Sequence, residues 1–155
     1  GEETEIVAGQ LAGDFVLPDD PNQKCVFIAG GIGITPFRSM IKYLLDTHQR
    51  RPIVLFYASR TADNIVYRDV FDQARWKLGI KTIYTVTDPR NVPFSWNGRV
   101  GYITPEMIKA EVPDYKDCIF YISGPKSMVD AFRVSLSQLH VSSHHIKTDF
   151  FPGLA

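Results

Sequence analysis

The chain has no surplus of either charge: 17 Lys and Arg balance 17 Asp and Glu over 155 residues. Proteins that grip nucleic acid or an acidic membrane draw affinity from a basic excess, so the balance argues against both as partners. It leaves room for a small local anion site. Cysteine is scarce as well. Cys25 and Cys118 lack a CxxC partner or a histidine at ligand spacing, and each opens an apolar run. Buried, reduced thiols and a cytoplasmic setting are expected, not a disulfide scaffold. The four histidines, His48, His140, His144 and His145, show no metal-ligand spacing, so no metal site is expected. No apolar stretch approaches the roughly 20 residues of a membrane helix, and nothing at the start reads as a signal peptide. There is no internal repeat and no low-complexity tract.

What is present is a globular composition, 45% hydrophobic and 22% charged, arranged in alternation. Short apolar or β-branched runs at residues 24–29, 53–58, 81–87, 118–123 and 145–151 read as strands. Between them lie segments of helical period. Phe37, Met40, Ile41, Leu44 and Leu45 form one apolar face, with Thr35 as N-cap and Pro36 in the first helical position. Val66, Val70, Phe71, Ala74 and Leu78 form another, stopped by Gly79. Thr104-Pro105-Glu106 begins a short helix, and Met128, Val129, Phe132, Leu136 and Leu139 mark the inner side of a helix over residues 125–139. This alternation predicts an α/β fold: a doubly wound, parallel, five-stranded sheet with helices on both faces, Rossmann-like. Such sheets bind ligands at the carboxyl ends of their strands, where the winding reverses. The segment 88–101, rich in Pro, Asn and Gly, reads as a long loop with a function. Residues 1–22 fit the alternation poorly and read as a linker and the remnant of a preceding domain; residues 23–155 form the α/β domain.

The sharpest local signal is Gly30-Gly31-Ile32-Gly33-Ile34-Thr35-Pro36, between the first strand and the first helix. Glycines admit positive φ and close approach of a ligand, and the opening N–H groups of a helix favour an anion. A diphosphate is the natural occupant, with a bare strand-to-helix turn as the alternative. Arg60, just after the second strand, stands where an adenosine ribose lies in such folds, and a guanidinium there can meet a 2′-phosphate. Asp63 and Asn64 nearby would favour an unphosphorylated ribose, and a solvated surface arginine is the plain alternative. Ser123-Gly124-Pro125 repeats the strand-end geometry, leaving room for a flat ring that Met128 can line; cap and stop residues are the alternative. Near the end, Asp149 can stabilise or relay a proton and Phe151 can cover a planar group, though packing and a surface charge explain both. Neither a Gly-x-Ser-x-Gly elbow nor a Tyr-x-x-x-Lys proton relay is present.

Together GGIGITP, YISGPKSMVDAF, the Trp96-x-Gly98-x-x-Gly101 loop and the terminal TDFF resemble the NAD(P)-binding domain of the ferredoxin–NADP reductase superfamily, over residues 13–151. The resemblance implies that Gly30, Gly31, Gly33, Thr35 and Pro36 cradle a pyrophosphate. It implies that Ser123, Gly124 and Pro125 face the nicotinamide, and that Asp149 and Phe151 touch the flavin. Ser123 replaces the Cys or Ala of many members, and Asp149 their more usual Glu. The implied activity is hydride transfer between NAD(P)H and FAD, then electron transfer to an iron–sulfur or haem partner. Members hold the flavin on an N-terminal barrel bearing an Arg-x-Tyr-Ser/Thr motif. That barrel is the expected partner domain, and residues 5–18 resemble its last strand. A nucleotide-sensing module without redox chemistry is the alternative.

Overall fold

The computed structural model describes residues 15–151. Its centre is a parallel sheet of six strands: β1 (Cys25–Gly30), β2 (Ile53–Ser59), β3 (Lys81–Val86), β4 (Arg99–Val100), β5 (Ile119–Pro125) and β6 (Ile146–Phe151), in the order β4-β3-β2-β1-β5-β6. The sequence predicts five. The sixth, β4, lies inside the segment expected to be an unstructured loop and pairs Arg99 with Thr85 and Val100 with Val86. Two exposed residues carry no periodicity, so nothing in their pattern announces a strand. The barrel strand expected over residues 5–18 lies, up to residue 14, outside the described residues. Phe15 to Pro18 carry no strand.

Helices cover both faces. α1 (Thr35–Asp46) and α2 (Arg68–Leu78) press Phe37, Ile41, Leu44, Phe71 and Ala74 onto one face, against Phe27, Leu55, Tyr57 and Tyr121. α3 (Pro105–Glu111) and α4 (Lys126–Gln138) press Ile108, Val129, Phe132 and Leu136 onto the other, against Val26, Ile28, Phe56 and Ile122. This two-sided cover explains why β1 is apolar without alternation: all six of its residues are buried. Each fully buried Phe or Ile stabilises the fold by roughly 1.5–3 kcal/mol. Phe15 joins the first face, its ring 5.6 Å from Phe37 and 5.3 Å from Tyr121. Phe27 stacks on Phe37 at 4.5 Å. Cys25 and Cys118 are free and buried on opposite faces. Burial pushes their thiols up, to about 12 and about 11, so neither is a thiolate at neutral pH.

α2 starts later than its apolar spacing predicts. Residues 62–64 form a 3₁₀ turn, Tyr67 adopts a left-handed conformation at φ 64°, and Val66 stays 43% exposed and off the core. The other expected inward positions of α2 are buried. Thr104 caps α3 by accepting a hydrogen bond from the Met107 N–H at 3.1 Å.

Strand order places the site. From β1 the chain winds outward through β2, β3 and β4, then returns over α3 to β5 and β6 on the opposite side. The winding reverses between β1 and β5, so their carboxyl ends border the crevice where such folds take ligands.

Candidate functional site

β1 ends at Gly30, and Gly31–Ile34 form one 3₁₀ turn that runs into α1. The two following glycines do different things. Gly31 has φ +55°, and a Cβ there would meet nothing within 4 Å. It faces open space in a conformation that suits glycine. The opening N–H groups of this turn have no partner within it, which suits an anion. Gly33 is buried, and a Cβ on it would collide with the main-chain carbonyl of Ser123. The close approach of β1's turn to the end of β5 accounts for a glycine at this position.

Thr35 is not the helix cap that its sequence position predicts. The preceding turn already has helical geometry, so Thr35 is itself helical, Ile34 precedes the helix, and Pro36 takes the second position. The Thr35 hydroxyl turns back and donates to the Ile32 carbonyl at 3.1 Å.

Ser123 sits near the end of β5, buried, in register with Ala29 of β1 and Asp149 of β6. The two residues expected to act chemically are therefore side by side across β5 and β6. Asp149 is half-buried, and desolvation raises its carboxyl above the ordinary 3.8, opposed by a hydrogen bond from the Phe150 main chain. One residue further, Gly124 pairs with Phe150, whose exposed ring lies 5.8 Å below the Lys126 ammonium.

A cleft of about 1410 Å³ opens along this carboxyl edge. Six of the expected residues line it: Gly30, Gly31, Arg60, Pro125, Met128 and Phe151. Gly33, Thr35, Pro36, Ser123, Gly124 and Asp149 do not. They form the turn, floor and flank behind that surface. The far wall comes from residues that sequence reasoning missed, Asp88, Arg90 and Tyr102. Asp88 is buried just beyond β3 and caps a 3₁₀ turn. Its carboxylate accepts from the Arg90 N–H at 3.0 Å, Arg90 Nε at 3.1 Å, Arg90 Nη2 at 3.2 Å and Asn91 Nδ2 at 2.8 Å. The Arg90 bonds, with that of Asn91, hold its carboxyl down at about 2. Asp88-Pro89 is a turn-cap signature that could have been read. Tyr102, 77% exposed, follows Gly101 with no such signal. The charged groups lining the cleft are thus two guanidiniums and one carboxylate, a balance that favours an anion.

The segment carrying this wall is pinned from the opposite face. Arg68 at the start of α2 lies 4.7 Å over the Tyr84 ring and 5.4 Å over that of Trp96. Trp96 Nε1 donates to the Arg99 carbonyl at 2.9 Å, and Thr85 Oγ1 donates to that of Gly101 at 2.5 Å.

Residues 27–134 match the family model described as the oxidoreductase NAD-binding domain. A flavohemoprotein of Oceanobacillus iheyensis is 30% identical over 144 residues, covering 92% of this chain and 35% of that protein. NADH-cytochrome b5 reductase 1 of Ajellomyces capsulatus is 33% identical over 135 residues, covering 82% of this chain and 43% of that protein. The chain thus spans about two-fifths of the length of these relatives. Among solved structures, the Amycolatopsis cytochrome P450 reductase GcoB superposes with a TM-score of 0.76 at 23% identity, over 92% of this chain and 42% of its own, a likeness of fold.

Proposed function

We propose, on the premise that this chain belongs to the oxidoreductase NAD-binding domain family, that it holds NAD(P)H for hydride exchange with a flavin carried mainly by another domain, and that electrons pass on to an iron–sulfur or haem partner. One juxtaposition supports the reading: the open turn at Gly31 and the guanidiniums of Arg60 and Arg90 border a single cleft at the point where the winding reverses. The volume suits a dinucleotide, and the Gly31 main chain is bare of any Cβ.

In this reading the diphosphate lies on the turn of Gly30, Gly31 and Gly33, whose shape Thr35 and Pro36 fix from behind. Arg60 and the Asp88–Arg90 wall receive the adenosine half, with the Tyr102 ring as a flat surface beside it. Ser123, Gly124, Pro125 and Met128 flank the nicotinamide, and Asp149 and Phe151 face the flavin. When bound, the nicotinamide and flavin would supply the redox chemistry of hydride exchange. The chain's own part is to orient and to exclude water. Asp149, beside Ser123 with its carboxyl raised by burial, is placed to stabilise charge or relay a proton. Residues 1–22 are assigned as the connection to a flavin-binding barrel and residues 23–155 as the nucleotide domain. Among the described residues no helix is long and apolar enough to cross a membrane.

Three measurements test this. Calorimetric titration of the chain with NADH and NADPH should give weak binding, and dye reduction should stay negligible until the barrel domain is supplied. The absorbance spectrum of the full-length gene product should show flavin that bleaches on adding NADH or NADPH. Robust dye reduction by the chain alone contradicts the assignment, and flavin that never bleaches favours the nucleotide-sensing alternative.

A further inference from the structure

Phe15 to Pro18 lie in no strand or helix, yet the chain from Phe15 to Asp20 is fastened to the domain by side chains from distant parts of the sequence. The Phe15 ring is buried against Phe37 and Tyr121. One residue on, the Val16 carbonyl accepts from the Tyr121 hydroxyl. Arg51, just ahead of β2, donates through Nη1 to the Pro18 carbonyl at 2.7 Å and to that of Asp20 at 3.3 Å. β5 and β2 flank β1 on opposite sides, so the two holds lie on either side of the strand into which this segment leads. A single hold leaves a pivot. Two, with a ring seated in the core, fix both position and direction.

Tyr121 stands two residues before Ser123 on β5. Phe120 and Ile122 point to the second face, so Tyr121 and Ser123 share the first. One strand face therefore carries both the floor beside the cleft and a hold on the incoming chain. We propose that Tyr121 and Arg51 are positioning residues for hydride exchange: they fix the direction in which the chain enters this domain, and so set where a flavin carried upstream stands against the Ser123 end of β5. The inference rests on the reading that a flavin domain precedes residue 15 in the full-length protein. Hydride exchange needs the reacting atoms about 3–3.5 Å apart, and a misplacement of about 1 Å costs on the order of a hundredfold in rate. Tyr121→Phe keeps the ring packing and deletes only the hold, since Val16 is exposed and water can take over its carbonyl. What that variant loses is direction.

Two readouts test this, one on the chain itself and one on the full-length gene product. In the chain, ¹⁵N relaxation should give the amides of Val16, Leu17 and Asp19 order parameters of about 0.85, falling below about 0.6 in Tyr121→Phe and in Arg51→Ala while those of Phe120 and Ile122 stay put. In the full-length protein at saturating NADH, flavin bleaching should slow about tenfold in either variant, with the dinucleotide dissociation constant within about twofold of the parent. Arg51→Lys, which can still reach the Pro18 carbonyl, should recover most of the rate. Should Tyr121→Phe fail to fold, Arg51→Ala, made in a half-buried side chain, must show the same split. Order parameters that stay near 0.85 in both variants overturn the proposal, as does a loosened segment with an unchanged bleaching rate. Dinucleotide binding that weakens in step with the rate overturns it too, since the residues would then act through the nucleotide site. A full-length parent that holds no flavin removes the flavin-domain reading and the inference with it; a parent that bleaches beside variants that bleach as fast removes the inference alone.

Discussion

At the β1–β5 end of the cleft, the turn that borders it is glycine main chain, brought close to the next strand; at the β3 end the wall is side chains, held by a capped turn. The first kind is built into the fold. Gly33 is where the turn after β1 touches β5, so its smallness closes the sheet as much as it shapes a site. The second kind is mounted on the fold: Arg60 and Tyr102 are exposed, and removing either leaves the core alone. A main-chain site therefore couples ligand binding to stability, and a side-chain site separates them.

The largest expected effect comes from testing that coupling. Gly33→Ala should destabilise the domain by about 3 kcal/mol, because the added carbon meets a main-chain carbonyl that cannot step aside. Gly31→Ala, with open space but positive φ, should cost about 1 kcal/mol and leave the domain folded. Urea denaturation of both variants gives the comparison. Equal costs would mean that the two glycines have not divided their roles as described.

Next in size is the side-chain end. Arg60→Ala should leave the unfolding midpoint unchanged and weaken binding of NADPH about tenfold, the worth of one charge-assisted hydrogen bond. NADH should lose less. A fall in stability would erase the contrast between the two ends, and unchanged affinity for both would remove Arg60 from the site.

Smaller again is an effect of pH on the wall itself. Asp88 has its carboxyl depressed from 3.8 to about 2 by Arg90 and Asn91. A depressed carboxyl stabilises the fold above the unfolded value, and that contribution disappears as pH falls from 3.8 toward 2. Protection of the Arg90 Nε–H from solvent exchange should therefore persist at pH 5 and be lost near pH 2. Asp88→Asn should abolish this dependence while the sheet stays folded. Protection that survives to pH 2 would show that the turn does not depend on the ion pair.

The same division explains what was legible in the sequence. Strand runs such as residues 24–29 and helical spacings such as Phe37, Ile41 and Leu44 report burial on a covered sheet, and burial is what periodicity encodes. The glycine turn was visible because main-chain closeness restricts residue type. β4 was not, since two exposed residues bury nothing. Thr35 was misplaced as a cap because a 3₁₀ turn had already satisfied the geometry that a cap would begin. Asp88 passed unnoticed within a segment read as loop, although its turn chemistry was there to see. The hold of Tyr121 on Val16 lay beyond reach, for it joins residues 105 apart in the chain, a meeting that no local spacing contains.

Asp149 gives the smallest effect and tests the comparison most finely. It lies beside Ser123 at the main-chain end, yet it is a side chain whose charge the fold disfavours. For a carboxyl raised above its unfolded value, stability is greatest where both states are protonated. It falls as pH rises past 3.8 toward the raised value, and stays lower beyond. Asp149→Asn removes that loss, so the variant should melt slightly higher than the parent at pH 7 and at the same temperature near pH 3. Half-exposure keeps the gain small, because solvent screens much of the penalty. A variant that melts lower at pH 7 would make the carboxylate a structural anchor like Gly33. If instead it melts higher, the native acid weakens the very fold that carries it, and its use must be sought outside the fold, at the edge where a flavin would lie.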